Sequence, residues 1–90
     1  MYYQILINGM SLGIFGHPNV QNMHLSLMVT AERREIFANA VCQEGEDLYM
    51  IDWLQYQITV EDVVEFKQVL EGPVPEPRKK YKIRASVQDA

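Results

Sequence analysis

Residues 2–15 read Tyr-Tyr-Gln-Ile-Leu-Ile-Asn-Gly-Met-Ser-Leu-Gly-Ile-Phe, two short apolar runs joined by an Asn-Gly dipeptide. Asparagine and glycine tolerate the two positive φ angles of a type I′ turn, whose twist matches that of the paired strands. In the second run Met10, Leu12 and Ile14 occupy alternate positions, which puts them on one face of a strand and Phe15 on the other. The chain is therefore predicted to begin with a β-hairpin.

Further runs of the same kind follow along the chain. Residues 22–30 alternate between apolar and polar side chains, and residues 48–54 form an apolar run that includes Trp53. Gly-His-Pro-Asn at 16–19 and Glu-Gly-Glu-Asp at 44–47 are typical turn sequences. Short runs separated by turns in this way predict a mostly β fold, a small antiparallel sandwich or barrel of about six to seven short strands.

Two segments, residues 31–43 and residues 60–71, carry signals for both strand and helix. Thr30 is a suitable helix cap for the first, and Thr59 with Asp62 resembles a capping box for the second. Alternation within both segments favours strands, and a fold with helices in both places would be α+β. The predicted core is common to both readings and comprises Ile5, Ile7, Leu12, Ile14, Leu25, Leu27, Ile51, Trp53, Val64 and Phe66.

The length of 90 residues fits one small domain, which we assign to residues 1–72. Pro73, Pro75 and Pro77 then predict an extended linker, because each ring fixes φ and restricts the residue before it. The rest of residues 73–90 is predicted to be a basic C-terminal tail or an edge strand.

Charge is distributed unevenly along the chain. Residues 1–31 contain no Asp, Glu, Lys or Arg, so all twenty charged side chains lie in the other fifty-nine residues. Residues 1–77 hold three basic and eleven acidic side chains, a net charge of −8, whereas 78–90 hold five basic and one acidic, a net charge of +4. Because charge keeps exposed surfaces and strand edges from associating, the uncharged third is predicted to be either core or contact surface.

The N-terminal third is not expected to be a secretory signal or a membrane span. It lacks a basic start, and polar residues, glycines and a proline divide it into short apolar pieces. The single cysteine, Cys42, has no partner for an internal disulfide, which favours a cytoplasmic protein.

The sequence contains few residues suited to catalysis or metal binding. His17 and His24 are seven positions apart with a turn between them, which is not the spacing of a zinc site. Cys42 with His24 is the one conceivable nucleophile and base pair, but a lone cysteine in an apolar run is typical of a buried hydrophobe. We therefore expect a protein that is not an enzyme and needs no metal or cofactor.

The leading hypothesis is a non-catalytic protein-interaction domain that self-associates or adds a partner strand to one of its uncharged strands. One form of this hypothesis is an acidic, immunity-type inhibitor of a basic protein. The candidate partner-binding residues are aromatic or polar side chains on predicted strands: Trp53, Tyr56, Asp52, Ser11 and Ser26.

The alternative hypothesis is a nucleic-acid-associated protein that binds through its basic tail. Clustered cations with an interleaved Tyr81 suit a phosphate backbone, although the acidic body disfavours nucleic acid as a partner. The candidate residues for this function are Arg78, Lys79, Lys80, Lys82 and Arg84.

Overall fold

The computed structural model describes residues 1–83, which form seven strands and no helix. The strands are β1 (Tyr2–Ile7), β2 (Met10–Gly16), β3 (Val20–Val29), β4 (Arg34–Glu44), β5 (Asp47–Ile58), β6 (Val64–Val69) and β7 (Lys79–Lys82). They make two antiparallel sheets. Sheet A has the order β2-β1-β6, and sheet B has the order β3-β4-β5-β7. The predicted mostly β architecture is confirmed.

The predicted Asn-Gly hairpin joins β1 to β2. Asn8 and Gly9 both have positive φ, 53° and 83°, as the type I′ turn requires. The Asn8 side chain also fastens the loop before β6, because its Oδ1 accepts a hydrogen bond from Val63 N at 2.9 Å and its Nδ2 donates to Asp62 Oδ1 at 2.8 Å. The hairpin turn therefore fixes the return of the chain to sheet A.

The core lies between the two sheets. Phe15 from sheet A and Trp53 from sheet B meet there with ring centroids 6.3 Å apart. The buried apolar residues of this core come from both sheets: Ile5, Ile7, Phe15, Ile36, Ala38, Ala40, Cys42, Ile51, Trp53 and Ile58. Two antiparallel sheets with a shared apolar interior form a small sandwich.

A bulge in β2 places Phe15 in this core, contrary to the alternation in the sequence. Ile5 pairs with Gly13 but Leu6 pairs with Ser11, so Leu12 has no residue directly opposite. One extra residue reverses the side-chain alternation beyond it. Phe15 is consequently 1% exposed, and Ile14, predicted for the core, lies outside the core cluster.

Two other residues predicted for the core are partly exposed. Leu27 on β3 is 45% exposed and Phe66 on β6 is 38% exposed. Both strands lie at an edge of their sheet, where no further strand of residues 1–83 covers the interior on that side. The predictions for Leu27 and Phe66 were therefore wrong.

Both segments with mixed signals contain strands, β4 and β6. Thr30 does act as a cap, since its Oγ1 accepts hydrogen bonds from Glu32 N and Arg33 N, but it closes the tight turn between β3 and β4. Asp62 Oδ2 likewise accepts a hydrogen bond from Thr59 N at 2.8 Å within a turn. Threonine and aspartate bind free backbone N–H groups equally well in turns and at helix ends. These residues therefore did not distinguish a turn from the start of a helix.

The proline-containing segment leads back to sheet B. Val74 packs against the core on the way, and β7 then pairs antiparallel with β5, from Lys79 opposite Asp52 to Lys82 opposite Tyr49. The first part of the basic tail is thus an edge strand. The predicted continuation of its alternation through Ala85 and Val87 lies outside the described residues.

Candidate functional site

The two sheets have four edge strands, and three of them carry features that oppose pairing with another chain. β2 is interrupted by its bulge, β6 carries Glu65 and Lys67, and β7 is four residues long with three lysines. β3 is ten residues long and contains no Asp, Glu, Lys, Arg or Pro. β3 has an irregular register of its own between Val20 and Asn22, so its unprotected part is residues 22–29, the longest such edge among the strands of residues 1–83.

We call the free side of residues 22–29 the β3 edge. Within the described chain, β3 pairs only with β4, and the pairing is regular from Asn22 opposite Val41 to Val29 opposite Arg34. Every second residue of an edge strand directs its backbone N–H and C=O groups away from the sheet. The β3 edge thus presents a row of backbone donors and acceptors to an incoming strand.

Half of the exposed side chains of this edge are apolar. Leu27, Met28 and Val29 are 45%, 41% and 51% exposed and are consecutive along the edge. Ser26 is also exposed, on the outer face of sheet B. An added strand would remove apolar surface from water as well as satisfy backbone groups.

An apolar groove runs along the inner side of the β3 edge. It has a volume of about 310 Å³ and lies between β3 of sheet B and β1 and β6 of sheet A. Its lining residues are Met1, Tyr3, Met23, Leu25 and Phe66. The sandwich is therefore open on the side where β3 is free.

The structure separates the five residues predicted to bind a partner. Ser26 lies on the β3 edge, whereas Ser11 and Tyr56 line a second groove of about 280 Å³ near the hairpin turn. The Ser11 hydroxyl is already engaged, because it accepts hydrogen bonds from Gln4 Nε2 at 2.9 Å and from Gly13 N at 3.1 Å. Trp53 is 6% exposed and packs against Phe15, which makes it a core residue and not part of a binding surface.

Asp52, the fifth candidate, holds the end of the linker. Its backbone carbonyl accepts a hydrogen bond from Arg78 N at 2.8 Å, and its Oδ2 lies 3.6 Å from Arg78 Nη1. Its buried Oδ1 has no hydrogen-bond partner within residues 1–83. The side chain belongs to the outer face of sheet B, where it lines a shallow groove with Asn39 and Lys79.

The basic tail docks on carboxylates of the body. Lys80 Nζ donates to both carboxylate oxygens of Glu44 at 3.0 Å and lies 4.9 Å from the centroid of the Tyr49 ring. Lys82 Nζ lies 3.4 Å from Asp47 Oδ1. Three of the cations predicted for nucleic acid, counting Arg78, thus face carboxylates within the chain, and Arg84 lies outside the described residues.

Glu44 joins three parts of the chain. Besides Lys80, its Oε2 lies 3.0 Å from His17 Nε2, while Asn19 N donates to His17 Nδ1 at 3.0 Å. A neutral ring with its proton on Nε2 satisfies both contacts. The hydrogen bond from Lys80, and then that from His17, lowers the pKa of Glu44 below its ordinary value.

Hydrogen bonds also lower the pKa values of two other carboxyl groups. Hydrogen bonds from Gln55 and then Arg33 lower the pKa of Glu35, whose residue is 5% exposed on β4. The backbone N–H of Thr59 and the side chain of Asn8 lower the pKa of Asp62. The sequence had singled out Asp62 with Thr59 as a capping pair, but it did not indicate the partners of Glu35 and Glu44, which lie on other strands or in turns.

These carboxyl groups predict that the protein loses stability in acid. A carboxyl group whose pKa is lower in the folded chain than in the unfolded chain stabilises the fold at any pH above its unfolded pKa. This stabilisation disappears as the pH falls through the folded pKa. We expect the free energy of unfolding to fall as the pH drops below 4.5, the ordinary value for glutamate. Urea unfolding followed by circular dichroism across this range measures it. Glu44→Gln should have a shallower acid slope, and an unchanged slope in that variant would contradict the assignment.

The residues considered for catalysis are not brought together. Cys42 is buried on the inner face of β4, whereas His24 is exposed and pairs with Asn39, which lies on the outer face. Burial and then the Glu44 carboxylate raise the pKa of the Cys42 thiol, which disfavours the reactive thiolate. No group of three or more His, Cys, Asp or Glu within residues 1–83 is arranged to hold a metal ion.

The chain was compared with known proteins for evidence of family or function. No protein-family model, curated protein or solved structure matches it significantly. No helix of residues 1–83 is long and apolar enough to cross a membrane. The geometry of the β3 edge is therefore the observation from which a function can be argued.

Proposed function

We propose that this protein is a non-catalytic, cytoplasmic protein-interaction domain that binds a partner by adding a strand to the β3 edge. The observation that supports this proposal is the contrast between β3 and the other three edges of the described sheets. β2 is interrupted by a bulge and β6 and β7 carry charge, whereas β3 is uncharged and pairs regularly over residues 22–29. A long uncharged edge promotes aggregation unless a partner covers it.

The groove beside the edge supports the same proposal. A strand paired with β3 would place alternate side chains over the groove, next to Met23, Leu25 and Phe66. Main-chain hydrogen bonds then supply affinity, and the pockets for alternate side chains supply specificity. The preferred partner is an extended segment with apolar side chains at every second position.

Charge complementarity is not the basis of this recognition. The β3 edge offers no carboxylate to a basic partner, and Glu44, Asp47 and Asp52 are occupied by cations of the tail. A partner of this edge is therefore selected by its strand geometry and apolar side chains.

The proposal predicts which substitution abolishes partner binding. Lysine at position 26 would add a charge to the β3 edge, so Ser26→Lys should lose the partner. Ser11→Lys is the control at another edge, since Ser11 is also an exposed serine on an uncharged edge strand but lies on the bulged β2. This control also removes the hydrogen bonds that Ser11 accepts from Gln4 and Gly13. Partners that tagged wild-type protein captures from cell lysate, identified by mass spectrometry, should be retained by Ser11→Lys and lost by Ser26→Lys.

The capture experiment includes a test of folding and of the alternative function. Circular dichroism must show that both variants retain the wild-type strand content. If folded Ser26→Lys protein recovers every wild-type partner, the β3 edge is not the binding site. Binding that is lost after nuclease treatment would favour the basic tail instead.

A further inference from the structure

The chain itself contains a strand that fits the β3 edge. The required segment is extended, uncharged over eight to ten residues and apolar at every second position, which describes β3. β1 is also uncharged, but it lies in the middle of sheet A with neighbours on both sides. We infer that the partner at the β3 edge is β3 of a second copy of this chain, paired antiparallel about a two-fold axis. The inference rests on the proposed function, because it identifies the partner of the same edge.

The two-fold axis keeps like faces together. An axis perpendicular to sheet B places the inner faces of both copies on the same side, so that opposite residues have the same orientation. Pairing centred on Ser26 sets Leu25 opposite Leu27 of the second copy and Met23 opposite Val29 of the second copy. Apolar side chains that are partly exposed in one copy would thus contact each other across the junction.

The antiparallel arrangement also keeps the charged turns that follow β3 in the two copies apart. The turn after β3 contains Glu32 and Arg33, followed by Arg34, whereas the turn before it, residues 17–19, has no charged side chain. Antiparallel pairing centred on Ser26 separates the two charged turns by about 40–50 Å at 3.4 Å per residue, several times the distance over which salt screens charges.

The grooves of the two copies lie beside the same junction. Each groove is on the inner side of its own β3, so the second copy extends the floor of the groove with apolar side chains. Phe66, which is 38% exposed in a single copy, borders this groove. The dimer would consequently combine two four-stranded sheets into one continuous sheet and cover the open side of both sandwiches.

Sedimentation velocity over a concentration series tests this inference with the full-length chain. Wild-type protein should sediment as a dimer, and Ser26→Lys or Ser26→Glu should raise the dissociation constant by at least about tenfold, because like charges would then face each other. An equimolar mixture of these two variants should recover the dimer, since opposite charges then meet at the junction. Ser11→Lys and Ser11→Glu are the controls at another edge and should remain dimeric.

If wild-type protein stays monomeric throughout the series, the inference of a second copy is wrong. The proposed function is not affected by this result, because the capture of a different protein still tests it. The inference is also wrong if folded Ser26→Lys dimerises with wild-type affinity, or if the equimolar mixture of Ser26→Lys and Ser26→Glu fails to associate. Amide hydrogen exchange of the wild type needs no variant, so it tests the inference even if the variants misfold. Exchange within residues 22–29 should slow as dimer forms, and unchanged exchange in the dimer would place the interface elsewhere.

Discussion

Phe15→Ala is expected to lower the free energy of unfolding by about 3–5 kcal/mol, as is typical of a phenylalanine removed from a close-packed interior. Phe15 is 1% exposed and contacts Trp53 across the sandwich, so its removal leaves a cavity between the sheets. Urea unfolding monitored by Trp53 fluorescence measures the change. Because such a loss approaches the whole stability of a small domain, Phe15→Leu should be measured as a milder variant.

Phe66→Ala is the matched control for this prediction. It removes the same side chain from a position that the sequence pattern placed in the core but where the residue is 38% exposed. We expect it to cost less than half as much as Phe15→Ala, since less apolar surface returns to water. Equal losses from the two substitutions, or a larger loss from Phe66→Ala, would contradict the difference in burial between Phe15 and Phe66.

Gly16→Ala is expected to destabilise the protein by about 1–3 kcal/mol or more, the usual range for overpacking a filled interior. A Cβ at position 16 would meet the Met1 carbonyl oxygen and lie 2.8 Å from Tyr2 Cα. Both are backbone atoms of the chain that pairs with the end of β2, and they have little freedom to move aside. Thermal unfolding followed by circular dichroism measures the effect.

Gly45→Asn serves as the control for Gly16→Ala. Gly45 has a φ of 64° in the turn between β4 and β5, and an added Cβ there meets no atom within 4 Å. Asparagine tolerates this left-handed conformation, so the substitution should cost less than about 0.5 kcal/mol. If both variants unfold at the same temperature as the wild type, the close approach of Met1 and Tyr2 to Gly16 is not maintained in solution.

The sequence predicted the strands well because strand formation depends on local pattern. The Asn8-Gly9 turn has the positive φ angles expected of it, and residues 31–43 and 60–71 contain strands as favoured. Thr30 and Asp62 do accept the backbone hydrogen bonds that suggested helix caps, but they accept them in turns. A capping side chain needs only a free backbone N–H nearby, and both structures provide one.

The core could be predicted only in part. Ile5, Ile7, Ile51 and Trp53 are buried as expected, while Phe15 is buried against the alternation in its strand. The bulge that reverses this alternation forms between β1 and β2 next to Gly13, whose φ is 139°. An isolated glycine within a strand pattern is the signal that could have indicated it. Leu27 and Phe66 fit the pattern of core residues equally well and are partly exposed because their strands are edges.

The candidate site, like the core, could be predicted only in part. The absence of charge from residues 1–31 identified a segment suited to contact, but β1, β2 and β3 share that property. Their neighbours differ: β1 is enclosed within sheet A, β2 is bulged, and β3 has a free edge beside an open groove. Ser11 and Ser26 therefore differ in significance only once the sheets are assembled.

The amino-acid sequence by itself determined the strand content, the first hairpin and the opposite charges of body and tail, because these follow from neighbouring residues and from composition. Only the tertiary structure decided that β3 is an edge, that Phe15 is buried and that tail lysines pair with Glu44 and Asp47. Each of these outcomes depends on which strands lie side by side. That order results from packing between residues far apart in the chain, which local sequence pattern does not encode.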